Sequence, residues 1–146
     1  ELNANTSNAG WNSIKHQSFL KEVISEFKKN GIRTSIFIDT DLKLIEAAAK
    51  TGTDRIELYT EEFATQFDLG NKRAIKPYTE AAILAHKLGL GINAGHDLSL
   101  ENIQFFKENI PHLAEVSIGH ALITESLYLG LENVVSMYLH RLQSTK

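Results

Sequence analysis

Residues 90–97, Leu90-Gly91-Ile92-Asn93-Ala94-Gly95-His96-Asp97, form a short apolar strand that runs out into a polar turn. The segment before it, surest as a helix from Pro77 to Leu88, carries its proline in a first turn and is ended by Gly89. After it, Ser99 can cap a helix from Leu100 to Asn109, and Pro111 blocks its continuation. Helix, strand, polar turn and helix in such close succession is the unit of an α/β protein with parallel strands.

The same unit recurs in both directions. Upstream, Thr34-Ser35-Ile36-Phe37-Ile38-Asp39 is a β-branched and aromatic run, hence a strand. Asp39 or Thr40 can cap the following helix, about Asp41 to Lys50, which stops at Gly52. Asp54 to Thr60 is the next strand, with a short helical turn over Glu61 to Phe67. Downstream, Ala114 to Ile118 is a strand, and Gly119-His120 leads directly into a short helix, Ala121 to Tyr128. Gly130 separates that helix from a last one, Leu131 to Leu142. Ahead of all this, Ser13 is a plausible N-cap for a helix reaching Asn30, with Phe19, Val23, Ile24 and Phe27 as its apolar stripe. Residues 1–12 read as loop. One helix followed by four strand–helix repeats makes either an open α/β sheet or half of an eight-stranded barrel, whose usual length is about 250 residues. Composition does not separate the two. A single domain over residues 1–146 is expected, and the absence of an initiator methionine suggests part of a longer chain.

The bulk properties narrow the function classes. Hydrophobic residues are 42% and charged residues 23%, the balance of a globular protein with a core. A net charge of −3 with no basic run gives no footprint for nucleic acid. No apolar stretch approaches the roughly 20 residues of a membrane span, and the opening is neither a signal nor a transit peptide. A cytoplasmic location is expected. Cysteine is absent, which removes disulfides, thiolate metal sites and cysteine nucleophiles. No histidine pair has metal-ligand spacing at a strand end, so no metal is expected.

In both candidate architectures ligands bind at the carboxyl ends of the strands. The informative residues are therefore Asp39-Thr40, Glu57 with Tyr59-Thr60, the turn Gly95-His96-Asp97, and Ser117-Ile118-Gly119-His120. Polar residues gather at this rim, while strand interiors are expected to be apolar. A helix beginning immediately after Gly119-His120 offers free N–H groups and a positive dipole end to a phosphate; the competing reading is two glycines that merely make tight turns. His96 is the foremost acid–base candidate, because imidazole exchanges protons near neutral pH; alternatively it hydrogen-bonds within its own turn. Glu57 alternates with Ile56 and Leu58, which makes it an inward carboxylate near the catalytic end. It needs a partner or a raised pKa, unless it serves as a structural ion pair. Trp11 is expected to pack in the opening loop.

At these junctions the sequence resembles the pyridoxine 5'-phosphate synthase family. The resemblance rests on Asn93-Ala94-Gly95-His96-Asp97-Leu98, Ser117-Ile118-Gly119-His120-Ala121, Phe37-Ile38-Asp39 and Arg55-Ile56-Glu57-Leu58-Tyr59-Thr60, with Thr6-Ser7-Asn8-Ala9-Gly10 at the start. It runs in order over essentially the whole chain. It implies a TIM (β/α)₈ barrel of which this chain is about the second half, strands five to eight, with residues 1–12 as the loop after strand four and residues 119–129 as the phosphate-binding loop and short helix. It implies the joining of 1-deoxy-D-xylulose 5-phosphate to 3-amino-2-oxopropyl phosphate, giving pyridoxine 5'-phosphate, phosphate and water, without metal or organic cofactor. It implies a proton-donor role for His96 and charge stabilisation by Glu57. Asp97, Gly119 and His120 would hold the aminoketone phosphate, and Thr6 would contact the deoxyxylulose phosphate. Small phosphorylated substrates and a homo-oligomer, an octamer by resemblance, are the expected partners. Two departures stand out: position 97 can be glycine in the family, and Asn3-Ala4-Asn5 resembles a small insertion. Strands one to four of the family supply further catalytic groups, so these 146 residues alone are expected to be inactive.

Two other readings remain at this point. Another sugar-phosphate barrel enzyme would share the phosphate site, although an aldolase would want a Schiff-base lysine that none of the four junctions offers. A non-catalytic half-barrel associating with a partner would expose sheet edges at its first and last strands.

Overall fold

The computed structural model describes residues 8–143. Its elements run α1 Gln17–Lys29, β1 Ser35–Ile38, α2 Leu42–Ala49, β2 Arg55–Tyr59, α3 Glu61–Asp68, a 3₁₀ turn Lys72–Ile75, α4 Lys76–Lys87, β3 Gly91–Gly95, α5 Ile103–Asn109, β4 Leu113–Ser117, α6 His120–Leu129 and α7 Leu131–Gln143. The four strands form one parallel sheet in the order β1-β2-β3-β4. Spatial order equal to chain order means every crossover steps the same way. A doubly wound sheet instead reverses its strand order partway. The fold is therefore α/β with a four-stranded parallel sheet, as in part of a TIM-type barrel.

Strand alternation divides the sheet into two unlike faces. Ile36, Ile38, Ile56, Leu58, Ile92 and Ala94 are buried against the helices. There they meet Leu20, Ile24, Ile45, Ala81, Ala85 and Ile103 in one core. Phe63 anchors an aromatic cluster under α3, α4 and α5, with ring centroids 5.0 Å from Phe106, 5.6 Å from Phe67 and 5.9 Å from Tyr78. Burial pushes the Tyr78 hydroxyl up to about 12, so it stays protonated; the Phe63 N–H points at its oxygen, 3.3 Å away.

The other face carries Ser35, Phe37, Arg55, Glu57, Tyr59, Asn93, Glu115 and Ser117, and here the expectation of apolar strand interiors fails. Arg55 donates to the Asn93 side-chain carbonyl at 3.0 Å, and the Asn93 amide donates to Glu115 at 3.1 Å. Arg33, just ahead of β1, grips the same carboxylate with two bonds of 2.8 and 3.0 Å. This chain of side chains spans the sheet from its first edge to its last, and the Arg33 bonds hold Glu115 below the usual carboxylate range. The alternation that makes Glu57 face inward applies equally to Arg55, Asn93 and Glu115, so this face is polar along its length.

Several local boundaries differ from the sequence reading. Asp41, not Asp39 or Thr40, caps α2, accepting from the Lys43 and Leu44 N–H groups. Ser13 does not cap α1; its hydroxyl donates to the Leu44 carbonyl at 2.5 Å, tying the opening loop to α2, and the helix proper begins after His16. The buried stripe of α1 is Leu20 and Ile24, while Phe19 and Phe27 are exposed. Phe19 instead receives Trp11, stacked with centroids 6.1 Å apart, so Trp11 packs from the opening loop against α1 rather than within the loop. Helix α5 starts later than Leu100, because Ser99 and Asn102 close a turn of their own first. Strand β4 begins at Leu113, and an irregularity in register leaves Ala114 without a partner on β3. Among the described residues, no helix is long and apolar enough to cross a membrane.

Asp54 ties the amino ends of β1 and β2 together. It accepts from the Thr34 N–H at 2.8 Å and from the Thr34 hydroxyl at 3.0 Å, and pairs with Lys28 at 3.1 Å. The Thr34 backbone bond, ahead of Lys28, holds its carboxyl below the ordinary value; partial burial opposes this. A carboxylate with a lowered folded pKa stabilises above its unfolded value, about 3.9, and that contribution disappears as pH falls through the folded pKa. Asp54→Asn should therefore lower stability near pH 7 and flatten the loss between pH 5 and pH 3. Urea unfolding of both proteins across that range checks it, and parallel pH curves would contradict it.

Candidate functional site

The carboxyl ends of β2, β3 and β4 open onto a cleft of about 950 Å³. Five of the six residues singled out from sequence line it: Glu57, His96, Asp97, Gly119 and His120. The sixth, Thr6, lies outside the described residues. Among the described residues of the opening loop, the Trp11 N–H donates to the Phe37 carbonyl at 2.8 Å. Gly10 lies so close to β1 that a Cβ there would stand 2.5 Å from the Ile38 Cα and the Asp39 nitrogen.

His96 and Asp97 follow β3 with φ of 78° and 55°, both in the left-handed region. For non-glycine residues this conformation costs on the order of 1–3 kcal/mol each and persists only where surroundings enforce it. The enforcement is visible. Thr60, fully buried at the end of β2, donates its N–H to the Gly95 carbonyl at 3.0 Å. Its hydroxyl lies against the Gly95 carbonyl at 2.7 Å and against the His96 carbonyl. From the other side Asn102, also buried, donates to the Asp97 carbonyl at 3.2 Å and accepts from the Ser99 N–H at 3.0 Å. The left-handed φ at Asp97 also accounts for a glycine being acceptable at this position in the resembling family.

The His96 ring sits among aromatic neighbours, 4.8 Å from the Phe37 centroid and 5.1 Å from that of Tyr59, edge-on to the latter. The Tyr59 hydroxyl donates to Glu61, and this bond, with burial and the nearby Glu61, Asp97 and Asp39 charges, pushes it up to about 12. Tyr59 is thus neutral at physiological pH. Glu57 lies one register step below and approaches β3 so closely that a Cβ on Gly95 would stand 2.3 Å from its carboxylate oxygen.

Gly119 is the N-cap of α6 and His120 its first residue. Ile123 donates back to the Gly119 carbonyl at 3.3 Å, which leaves the N–H groups ahead of it at the helix mouth. A Cβ on Gly119 would meet no protein atom within 4 Å. The space there is open toward the cleft. The lining also holds Glu61, Asp68, Glu101 and Glu125 but no lysine or arginine. Two of these acids are already engaged, Glu61 by Tyr59 and Glu125 by the Leu100 N–H at 3.1 Å and the Tyr138 hydroxyl at 2.7 Å. An anion in this cleft would be held by backbone N–H groups and imidazole.

Sequence reasoning missed Thr60, Phe37, Tyr59 and Asn102 as the frame of the His96 turn. Alternation along β1 and β2 signals the two aromatics, since Phe37 and Tyr59 share the parity of Glu57. Thr60 was legible as a strand-end residue but not as a frame for the turn, and nothing local signals Asn102.

A parallel sheet wound in one direction, with a polar inner face and a cleft at the strand carboxyl ends, defines a protein of the (β/α)-barrel class. The chain belongs to the family described as pyridoxal phosphate biosynthesis protein PdxJ, whose model matches residues 1–144. It is 71% identical over 142 residues to a pyridoxine 5'-phosphate synthase of Flavobacterium johnsoniae, covering 97% of this chain and 60% of that protein. It is 66% identical over 141 residues to the protein of that name from Christiangramia forsetii, with 97% and 60% coverage. With the one from Bacteroides thetaiotaomicron it shares 53% identity over 133 residues, covering 91% and 56%. The chain thus spans about three fifths of the length of these relatives.

Because the Glu57 carboxylate occupies the place of a Gly95 side chain, Gly95→Ala should leave the protein folded while displacing that carboxylate. The tip of a glutamate moves cheaply, so the thermal midpoint should fall by only a few degrees, about 1 kcal/mol. A crystal structure of the variant tests this, and an unmoved Glu57 would contradict the close approach.

Proposed function

We propose that this chain is the carboxyl-terminal part, strands five to eight, of a TIM-barrel pyridoxine 5'-phosphate synthase. On this reading the complete protein condenses 1-deoxy-D-xylulose 5-phosphate with 3-amino-2-oxopropyl phosphate, releasing phosphate and water. The observation that carries the reading is the convergence of Glu57, His96, Asp97, Gly119 and His120 on one cleft, in a chain of this family. The barrel architecture is supported by the one-directional strand order and by an inner face built of polar side chains. It is supported too by the apolar residues left exposed on α6 and α7, among them Leu127, Leu131 and Leu139. A cytoplasmic, homo-oligomeric protein follows from the same reading.

The assigned roles are those the family resemblance implies, and the cleft geometry supports them for the described residues. The mouth of α6 and the Gly95–Asp97 turn hold the aminoketone phosphate through N–H groups, the dipole end of the helix favouring the anion. His96 delivers the proton that the departing oxygen needs as its bond breaks. Glu57, held against Gly95 beneath the turn, faces positive charge developing on the amine-derived nitrogen. Thr6, outside the described residues, contacts the second phosphate by the resemblance alone. The other sugar-phosphate barrel enzymes share the phosphate cradle, but nothing in the cleft favours them over the synthase.

The decisive experiment is steady-state kinetics of the full-length protein with both substrates. His96→Asn should lower kcat by roughly 10²–10⁴-fold with little change in phosphate affinity. Near-normal turnover would move the proton-donor role elsewhere. Gly119→Val, whose side chain enters open space at the helix mouth, should leave folding intact and raise the dissociation constant for the phosphorylated aminoketone. Unchanged binding would remove the phosphate from this site.

A further inference from the structure

Resting on the synthase reading, the geometry points to Thr60 as a positioning residue that aims the His96 imidazole, acting with Phe37 and Tyr59 as a three-sided clamp. The backbone of His96 and Asp97 is left-handed at both residues, so the turn is not one these side chains would choose unaided. Its carbonyls at Gly95 and His96 both face the Thr60 hydroxyl, whose single proton is shared between two acceptors. Thr60 is fully buried, so no water takes over if the hydroxyl is removed. The turn fixes where the imidazole leaves the backbone, and the rings fix where it ends. Phe37 on β1 and Tyr59 on β2 are 5.1 Å apart, and each lies within 5.1 Å of His96. Tyr59 is itself tethered through its hydroxyl to Glu61. Three consecutive strands thus converge on one imidazole, and a side chain placed this way needs no rearrangement before it gives up a proton.

Thr60→Val keeps shape and burial but removes the hydroxyl; Thr60→Ser keeps the hydroxyl. Phe37→Leu opens one wall of the clamp while leaving the turn alone. In the full-length protein, Thr60→Val should lower kcat roughly tenfold to a hundredfold, the scale of a misplacement of about 1 Å. It should also raise KM for the phosphorylated aminoketone, because the Asp97 N–H moves with the turn. Phe37→Leu should lower kcat with KM unchanged, and Thr60→Ser should restore both constants to near wild type. A spectroscopic reading separates aim from bulk stability. The His96 ring-proton resonances, shifted by the Phe37 and Tyr59 ring currents, should collapse toward free-histidine positions in Thr60→Val although both rings remain. Thr60→Val with normal kcat and unmoved His96 resonances would overturn the clamp, and so would losses that Thr60→Ser fails to rescue. Failure of the synthase reading would show differently, as no turnover of the two substrates by the wild-type full-length protein.

Discussion

The absence of a side chain at Gly95 is the constraint on which the rim depends. Strands β2 and β3 lie in register with Glu57 beside Asn93 and Tyr59 beside Gly95. With no Cβ at position 95, the Glu57 carboxylate lies over the β3 backbone, and the chain is free to turn sharply at the next residue. The cost of that turn appears as two left-handed residues, and it is met by Thr60 on one side and Asn102 on the other. A backbone held this way by buried hydrogen bonds gives His96 a fixed origin. Rigid placement of one imidazole and one carboxylate is what separates a catalytic rim from a merely polar one.

The second organising feature is the division of labour between the faces of the sheet. Helix-side positions are aliphatic and small, so the helices pack closely, and Ala81, Ala82 and Ala85 let α4 approach the sheet. Inner-face positions are charged or aromatic. The lower part is a network of Arg33, Arg55, Asn93 and Glu115, in which both guanidinium groups reach the one carboxylate. The upper part, with Glu57, Tyr59 and His96, is left facing the cleft. With side chains tied to one another below and chemically available above, the same alternation serves both structure and site.

The repeat of strand, polar turn and helix was legible in the sequence because apolar runs are short and bounded by glycine, and the four strands stand within a residue or two of where that pattern puts them. Glu57, His96, Gly119 and His120 were legible as strand-end residues, since strand ends are where such folds bind ligands. What stayed hidden depends on contacts between distant residues. Thr60 stands out in the sequence only as a strand-end residue, and its part in the turn shows once its hydroxyl is seen against carbonyls 35 and 36 residues away. The stripe of α1 was misjudged because Phe19 is larger than Leu20, yet Trp11 rather than the sheet receives it. The polar inner network was overlooked for a related reason: Arg55 and Glu115 look like surface charges when read one strand at a time.

The pairing of Arg33 with Glu115 joins residues 82 positions apart, from the approach to the first described strand to the middle of the last. Closing a loop of that length is entropically slow compared with the local strand–helix contacts between them. During synthesis Arg33 emerges long before its carboxylate exists, and it waits in solvent while β2 and β3 add to β1. The inner face is consequently the last part of this sheet to settle. The polar network of the inner face closes only when the fourth strand is in place.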